Sequence, residues 1–546
     1  MASSESNWRQ DRLARLTLLL TCLLVAVSLG AVSGGAFATV SHAAEPSFQK
    51  GISYAAWWSG AYRAPGSELS LEALKTTGAT WIALIVTGHQ ESIASTTIDR
   101  THVSTPTDED LIHAINEAHR LGLKVMLKPH IDLFNEVPGG YWRGDIGKAF
   151  TTETQWATWF DAYRGYINHY AALAQAHGVE QFCIGTELLG TTHRANDWRA
   201  VAAGVRAIYS GPIVYAALKD GEEVSIKWWD AVDYIGVDGY YQLNTDPNIH
   251  PTVEQLEAAW AGPKQILARL AADYNKPILL TEIGYRSYHG CTAKPWDSWE
   301  VSDVDLEEQA NAYEAAFRQL YQQPWLHGIF WWTWLPNRFE SGPCDTGYTP
   351  YRKPAEEVLR RWYGGQPAPS LETLVPDYDR VGDIYTDGLT TGWENWSWGT
   401  LSLNLTDTAQ VYEGTRAIAA TLTQWGALSL YHPPFAHDDY YWLEFHVRSD
   451  TNNPRVVVYV ETEDGAGQEH VPVNYCGHIQ GGKIAADSWK QVRIPLYDLN
   501  RSGQRVTRIN LQYGGELPAT LHIDNIRLVG AQSPPHRINL PVVVRQ

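Results

Sequence analysis

The chain has 546 residues, too many for one ordinary domain at roughly 150 residues each. With 44% hydrophobic and 19% charged residues it can build a core, which excludes an intrinsically disordered chain. Its 42 Lys and Arg stand against 61 Asp and Glu, a net charge of −19, which argues against a nucleic-acid-wrapping protein, since that needs a basic face. The 24 Trp and 29 Tyr against 11 Phe favour ligands met by flat rings that also hydrogen-bond, as sugars are.

The first segment has the layout of a secretory signal peptide. Arg9, Arg12 and Arg15 precede an apolar stretch from Leu16 to Val32, and Ala36-Phe37-Ala38 or Ser41-His42-Ala43 offers a cleavage site. The alternative is an uncleaved membrane anchor; Ser28, Gly30, Ser33 and the Gly34-Gly35 pair weigh against it. Residues 1–44 are therefore expected to be removed, leaving a secreted protein with no stable membrane insertion. Of the five cysteines, Cys22 lies in this segment and Cys183 in an apolar run, as a small core residue. Cys291 and Cys344 fall in polar loops and could pair in an oxidising compartment.

From residue 46 to 363 one phrase recurs: a helix, a glycine stop and a short apolar run. Thr107-Asp108-Glu109-Asp110 opens such a helix with a capping residue and early acids, and Gly122 closes it before Val125-Met126-Leu127. The other runs are Gly51-Ile52-Ser53, Trp81–Val86, Phe182-Cys183-Ile184, Ile213-Val214-Tyr215, Tyr234–Val237, Ile278-Leu279-Leu280 and Ile329–Trp332. Near-continuous apolar runs alternating with helices predict a parallel sheet covered on both faces. Eight of them predict an α/β fold, a (β/α)8 TIM barrel, rather than an open doubly wound sheet, whose glycine-rich phosphate turn is missing.

In such a barrel every strand's C-terminal end emerges at one rim, where chemistry is built. The third run leads into Lys128-Pro129-His130-Ile131-Asp132, the fourth into Gly185-Thr186-Glu187 and the sixth into Asp238-Gly239-Tyr240-Tyr241. Thr281-Glu282 follows the seventh and Thr333-Trp334 the eighth. A carboxylate directly after an apolar strand is costly to desolvate unless it is paired or used. Either Glu187 or Glu282 alone would fit a salt bridge. Together on one rim, among aromatics, they fit glycoside hydrolysis, in which one carboxyl protonates the leaving oxygen and the other attacks or activates water. That mechanism requires no cofactor or metal, and no HExxH-type cluster is present.

The phrases MLKPHID (126–132), IGTEL (184–188), YIGVDGYY (234–241), TEIGYRS (281–287) and GIFWWTW (328–334) resemble glycoside hydrolase family 113 over roughly residues 48–363. The resemblance implies a retaining endo-β-1,4-mannanase with Glu187 as acid/base and Glu282 as nucleophile. Most of that clan has Asn before the acid/base; Thr186 stands here, leaving open which group meets the sugar's 2-hydroxyl. Tyr240 resembles the tyrosine that hydrogen-bonds the nucleophile, with Tyr241 as rival. Trp332 resembles the tryptophan flooring the cleavage subsite, with Trp334 as rival. Trp57 or Trp58 is expected to line the cleft. Lys128, His130 and Asp132 would bind sugar hydroxyls or form a rim salt-bridge cluster, and Arg286 would hold a carboxylate or brace the seventh loop. The partner implied is a polysaccharide or oligosaccharide, with mannan first and another β-glycan (glucan or xylan) or a binding-only scaffold as alternatives. The sequence assigns no oligomeric state.

Residues 364–380 read as a linker, starting at Gly364-Gly365-Gln366-Pro367. Beyond it, Leu443–Val447, Val456–Val460, Val492–Leu496 and Leu521–Leu528 predict an all-β sandwich over 381–530, followed by a tail, 531–546. SWKQVRIPL (488–496) and LHIDNIRLV (521–529) resemble jelly-roll carbohydrate-binding modules. Trp393, Trp396 and Trp398 could form a stacking platform, although at least one is expected to pack into the core. By the same resemblance Asp387 and Asp524 could help hold a structural Ca2+.

Overall fold

A computed structural model describes residues 48–366 and 380–530, except positions 135, 137–139, 220, 301, 338–340, 437–439, 466–469, 476, 480–481 and 501–503. The export segment, most of the linker and the tail lie outside the described residues. The eight apolar runs are eight parallel strands that close a barrel in sequence order. They are β1 (Gln49–Tyr54), β2 (Trp81–Gln90), β3 (Lys124–Leu133), β4 (Gln181–Thr186), β5 (Ile213–Leu218), β6 (Tyr234–Asp238), β7 (Ile278–Ile283) and β8 (Leu326–Trp334).

Strand alternation sorts the side chains into two layers. Trp81, Ala83, Ile85, Met126, Cys183, Val214, Leu279 and Phe330 fill the barrel, so Cys183 is the small core residue expected of it. Ile82, Leu84, Val125 and Leu127 point outward into a larger cluster with the surrounding helices. The helices begin where the capping signals lie. In α1 (Pro65–Thr76) proline opens the first turn. In α2 (Asp108–Arg120) the Thr107 hydroxyl accepts from the Asp110 amide in a capping box, and in α3 (Glu153–Ala176) Thr152 and Gln155 repeat it. Gly122 leaves α2 at φ 69°, a left-handed turn that would strain any side chain.

The ring continues with α4 (Ala195–Arg206), a short α5 (Glu222–Ser225), α6 (Val253–Ala259), α7 (Ala261–Tyr274), α8 (Leu306–Leu320) and α9 (Pro354–Tyr363). Cys291 is buried and Cys344 exposed, and no disulfide joins them, so the pairing considered from the sequence is not formed. Among the described residues no helix is long and apolar enough to cross a membrane.

The C-terminal region is an antiparallel all-β domain built on the long strand β12 (Ala417–Phe435). Its first part pairs with β18 (Ala519–Gly530), which also carries β9 (Arg380–Tyr385) and β13 (Tyr440–Ser449), the latter flanked by β16 (Lys490–Pro495). Its second part pairs with β17 (Val506–Tyr513), followed by β14 (Val456–Thr462) and β15 (Val471–Pro472). Two outer strands, β10 (Glu394–Asn395) and β11 (Trp398–Asp407), pair with β12 as well. Between its two parts β12 bends at Trp425, whose φ is 63°. Ile418, Phe445 and Ile523 from one leaf share a single apolar core with Leu430, Val458 and Ile509 from the other. That is sandwich packing.

Candidate active site

At the C-terminal rim, the period of two along β3 sends Lys128, His130 and Asp132 inward above Met126. Lys128 is fully buried, and its ammonium contacts both Asp238 oxygens, at 3.2 and 3.3 Å, and Glu282 Oε1. Tyr240 donates its hydroxyl to Glu282 Oε2 at 2.7 Å. Burial alone would lower the Lys128 pKa, but the neighbouring Asp238 and Glu282 carboxylates outweigh it and raise it. Tyr240 is held well above the ordinary phenol value by burial and by Glu282, so it remains a donor. Both oxygens of Glu282 are thus held by hydrogen-bond donors.

The pairing of β6 with β7 slips by one residue between Val237↔Leu280 and Asp238↔Glu282. Consecutive residues of β7 therefore reach the same group. Thr281 donates to Asp238 at 2.7 Å, while Glu282 meets Lys128. Asp238 is pushed up to about 7 by burial and by Glu282, against the pull of Lys128.

Glu187 lies just beyond β4 with φ 52°, a left-handed conformation costly for a residue with a Cβ. Its amide donates to Ala216 O at 2.8 Å, and the side chain is buried at the mouth. Arg143, in the loop after β3, approaches Glu187 Oε2 at 3.3 Å, bonds Asp132 at 2.8 Å through Nε and donates to His130 Nδ1 at 3.2 Å. Burial nevertheless holds the Glu187 carboxyl well above the usual carboxylate range, with Asp238 and Glu282 adding to it against Arg143 and Lys128. Burial, Lys128 and Arg143 keep His130 well below the ordinary imidazole value, and therefore neutral. Since its Nδ1 accepts from Arg143, the ring proton sits on Nε2, 3.6 Å from Glu282 Oε1.

The aromatic wall comes from β8 and the loop after β1. The Trp332 ring lies parallel to His130, at 6.1 Å and 10°, and edge-on to Trp57 at 6.1 Å. Trp58 is exposed next to it. Trp334 faces elsewhere: it is buried, donates to the Ser70 carbonyl at 3.1 Å and packs on Tyr351. Strand alternation would put it, two residues after Trp332, on the same side, but one extra β8 residue enters between Ile52↔Trp331 and Tyr54↔Trp334 and reverses the alternation, so Trp334 is no rival for the floor.

Of the other candidates, Tyr241 is buried against Trp260. Thr186 is buried with its hydroxyl 3.8 Å from Cys183 Sγ. Arg286 takes the bracing alternative, donating to the carbonyls of Thr346, Asp297 and Glu300. Lys128, Arg143, Asp132 and Asp238 do form a salt-bridge cluster, but one that reaches both glutamates.

Arg143 and Asp238 were missed as site residues. Asp238 carries the signal used for Glu187 and Glu282, an acid ending an apolar run. Arg143 opens a three-residue 3-10 turn, Arg143–Asp145, in the loop after β3, with no pattern to announce it. In the sheet domain, Asp387 accepts from the Thr415 and Arg416 amides, and Asp524 from those of Tyr412 and Glu413, so both carboxylates cap one loop.

The family model for Glycoside Hydrolase Family 113 matches residues 53–353, and that for the expansin-like protein C-terminal domain matches residues 384–531. Among solved structures, the GH113 β-mannanase AaManA from Alicyclobacillus acidocaldarius, in complex with ManMIm, is 30% identical, with 58% of this chain and 97% of that one covered and a TM-score of 0.52. A GH113 β-1,4-mannanase is 27% identical over 59% of this chain and 100% of its own, with a TM-score of 0.52. A search of curated proteins found no match.

Proposed function

The chain belongs to glycoside hydrolase family 113, and from that premise we propose that it is a secreted, retaining endo-β-1,4-mannanase acting by double displacement. The observation that carries this reading is the unequal treatment of the two glutamates. Glu282 receives a buried ammonium on one oxygen and a phenol hydroxyl on the other, which fix its carboxylate for attack on the anomeric carbon. Glu187 is held well above the carboxylate range by burial and neighbouring acids, which keeps a proton available for the leaving oxygen.

Glu282 displaces the leaving sugar to form a glycosyl ester as Glu187 donates its proton. Glu187, now ionised, then removes a proton from water, which attacks the ester carbon and frees Glu282 with net retention. Arg143 stabilises Glu187 in that ionised interval, and the parallel Trp332 and His130 rings form a flat floor for the reacting sugar. Two relatives described as β-mannanases support mannan as the substrate.

The C-terminal domain then serves as a sugar-holding module. Trp396 lies over Tyr431, at 4.1 Å and 12°, and over Arg508 at 4.8 Å; these two are cross-strand neighbours, so the outer face of the indole is left to solvent. Trp393 instead packs against the sandwich core, the structural role expected for at least one of the three. Trp398 donates to the Trp425 carbonyl at 2.9 Å.

The test is reducing-end release from β-mannan, cellulose-type β-glucan and xylan by the secreted protein, with Glu282→Ala as control and the anomer of the first product read by NMR. Preferential mannan cleavage with β-product, abolished by the substitution, supports the proposal. First-formed α-product overturns the retaining mechanism, and preference for another glycan overturns the substrate.

A further inference from the structure

Away from the two glutamates, the rim gathers four side chains that the glycosidase reading does not use. His250 lies in the loop after β6, His289 in the loop after β7, and Asp305 and Glu308 in the first turn of α8. One ligand atom from each lies within 4.8 Å of all the others. His250 Nδ1 is 2.7 Å and His289 Nδ1 3.4 Å from Asp305 Oδ2, and His289 Nδ1 is 3.9 Å from Glu308 Oε2.

The carboxylates are held as ligands are held. Asp305 caps α8 with Oδ1, accepting from the Glu308 amide at 2.9 Å, and turns Oδ2 toward the two imidazoles. Glu308 is fully buried; its Oε1 accepts from the Thr292 amide and hydroxyl at 3.0 and 2.7 Å, and its Oε2 takes one bond from the Gly290 amide at 2.7 Å. The buried Cys291 thiol also hydrogen-bonds the Glu308 carboxylate, whose Oε2 lies on the side of His289 Nδ1. The supporting loops are themselves fixed: Tyr288 bridges Val304, the Leu243 amide donates to Thr292 O at 3.0 Å, and a Cβ on Gly290 would come within 2.8 Å of Pro247 O. Outer bonds of this kind orient metal ligands.

Charge points the same way. Among the described residues neither Asp305 nor Glu308 has a Lys or Arg partner; the only side-chain cations within reach are the two histidines, and then only when protonated. Buried charges are paired or coordinate metals. Two imidazoles with two carboxylates suit a borderline divalent ion such as zinc better than calcium or magnesium, which take all-oxygen sites. Zinc bond lengths of about 2.0–2.2 Å put tetrahedral ligand atoms about 3.4 Å apart, within the spread seen here.

We propose that His250, His289, Asp305 and Glu308 form a structural zinc site that staples the loops after β6 and β7 at the mouth of the barrel. Tyr240 lies at the start of the first of those loops and Glu282 near the end of the strand before the second, so the ion would hold the frame around the catalytic floor without taking part in the chemistry. The assignment stands independently of the mannanase reading.

The experiment uses tag-free full-length protein, stripped with chelator and dialysed. Zinc is titrated by calorimetry, cobalt by visible absorption, and thermal unfolding is followed with and without zinc. The expected result is one zinc per chain, a higher Tm when zinc is present, and the ligand-field spectrum of four-coordinate cobalt with nitrogen and oxygen ligands. Losing an outer-shell partner costs roughly 10- to 100-fold in metal affinity; His289→Ala and, separately, His250→Gln should cost at least that. Folded wild-type protein that takes up no zinc would overturn the site and leave a hydrogen-bonded histidine–carboxylate knot. Unchanged affinity in both variants would overturn it too, by placing the ion elsewhere. Should either variant fail to fold, the wild-type stoichiometry and cobalt spectrum still decide.

Discussion

Arg143 Nη1 lies 3.3 Å from Glu187 Oε2, yet burial keeps that carboxyl well above the usual carboxylate range. An arginine that close would by itself hold the acid ionised. Desolvation and the acids Asp238 and Glu282 prevail, and Arg143 divides its charge among Glu187, Asp132 and His130. The outcome is an acid that holds a proton yet has a cation ready when the proton leaves.

A pH experiment tests this balance with signs fixed in advance. With Glu187 as the proposed acid, kcat/KM should fall as pH rises through its raised pKa. Arg143→Met removes a charge that favours the carboxylate, so the alkaline limb should move to higher pH. Asp238→Asn removes one that disfavours it, so the limb should move to lower pH. Limbs that stay put, or shift the same way in both variants, would remove Glu187 from the acid role.

Glu187→Gln should lower kcat on mannan by about 10²- to 10⁴-fold, the usual range for general acid–base assistance. On an aryl glycoside whose leaving group needs no proton, the first step should be largely spared, and an initial burst of aryl alcohol should appear. An equal loss on both substrates, with no burst, would contradict the assignment.

Tyr240→Phe deletes a 2.7 Å hydrogen bond to Glu282 Oε2. A bond to a charged group is worth about 1.5–3 kcal/mol, so if it orients the nucleophile in the transition state kcat should drop roughly ten- to hundredfold with little change in KM. Wild-type kcat in Tyr240→Phe would show that the bond plays no catalytic part.

Lys128→Met leaves Glu282 and Asp238 buried without their shared cation. Removing one partner of a buried pair typically costs about 3–5 kcal/mol. Urea unfolding should show a loss of that order above pH 7, shrinking as pH falls through about 7 and Asp238 protonates. A loss independent of pH would mean that packing, not charge, is what Lys128 supplies.

Trp396→Ala should weaken retention on insoluble mannan while sparing hydrolysis of short soluble mannooligosaccharides, because Trp396 belongs to the C-terminal domain rather than the barrel. Pull-down on the polymer beside oligosaccharide kinetics separates the two. Unchanged retention would free the indole face of a binding role.

The barrel was legible because its strands are buried on both faces and read as apolar runs, each ended by a helix stop. The inward set of β3 was legible too: Lys128, His130 and Asp132 recur every second residue. Trp334 and Arg286 show where pattern reading ends. One extra residue in the β8 pairing turned Trp334 outward, and register slips of that size leave no mark on composition or spacing. Arg286 had two plausible partners in sequence, and only the positions of the Thr346, Asp297 and Glu300 carbonyls chose between them.

By itself, then, the sequence determined the strand order, the rim on which Glu187 and Glu282 meet, and the change to an all-β domain after the linker, because periodicity and burial are local properties of the chain. Only the tertiary structure decided that Arg143 contacts Glu187, that Lys128 bridges Asp238 and Glu282, and that His250 and His289 converge on α8. Those contacts join segments tens to more than a hundred residues apart, and the electrostatics that separate the two glutamates depend on distances and desolvation, which arise only once the chain has closed.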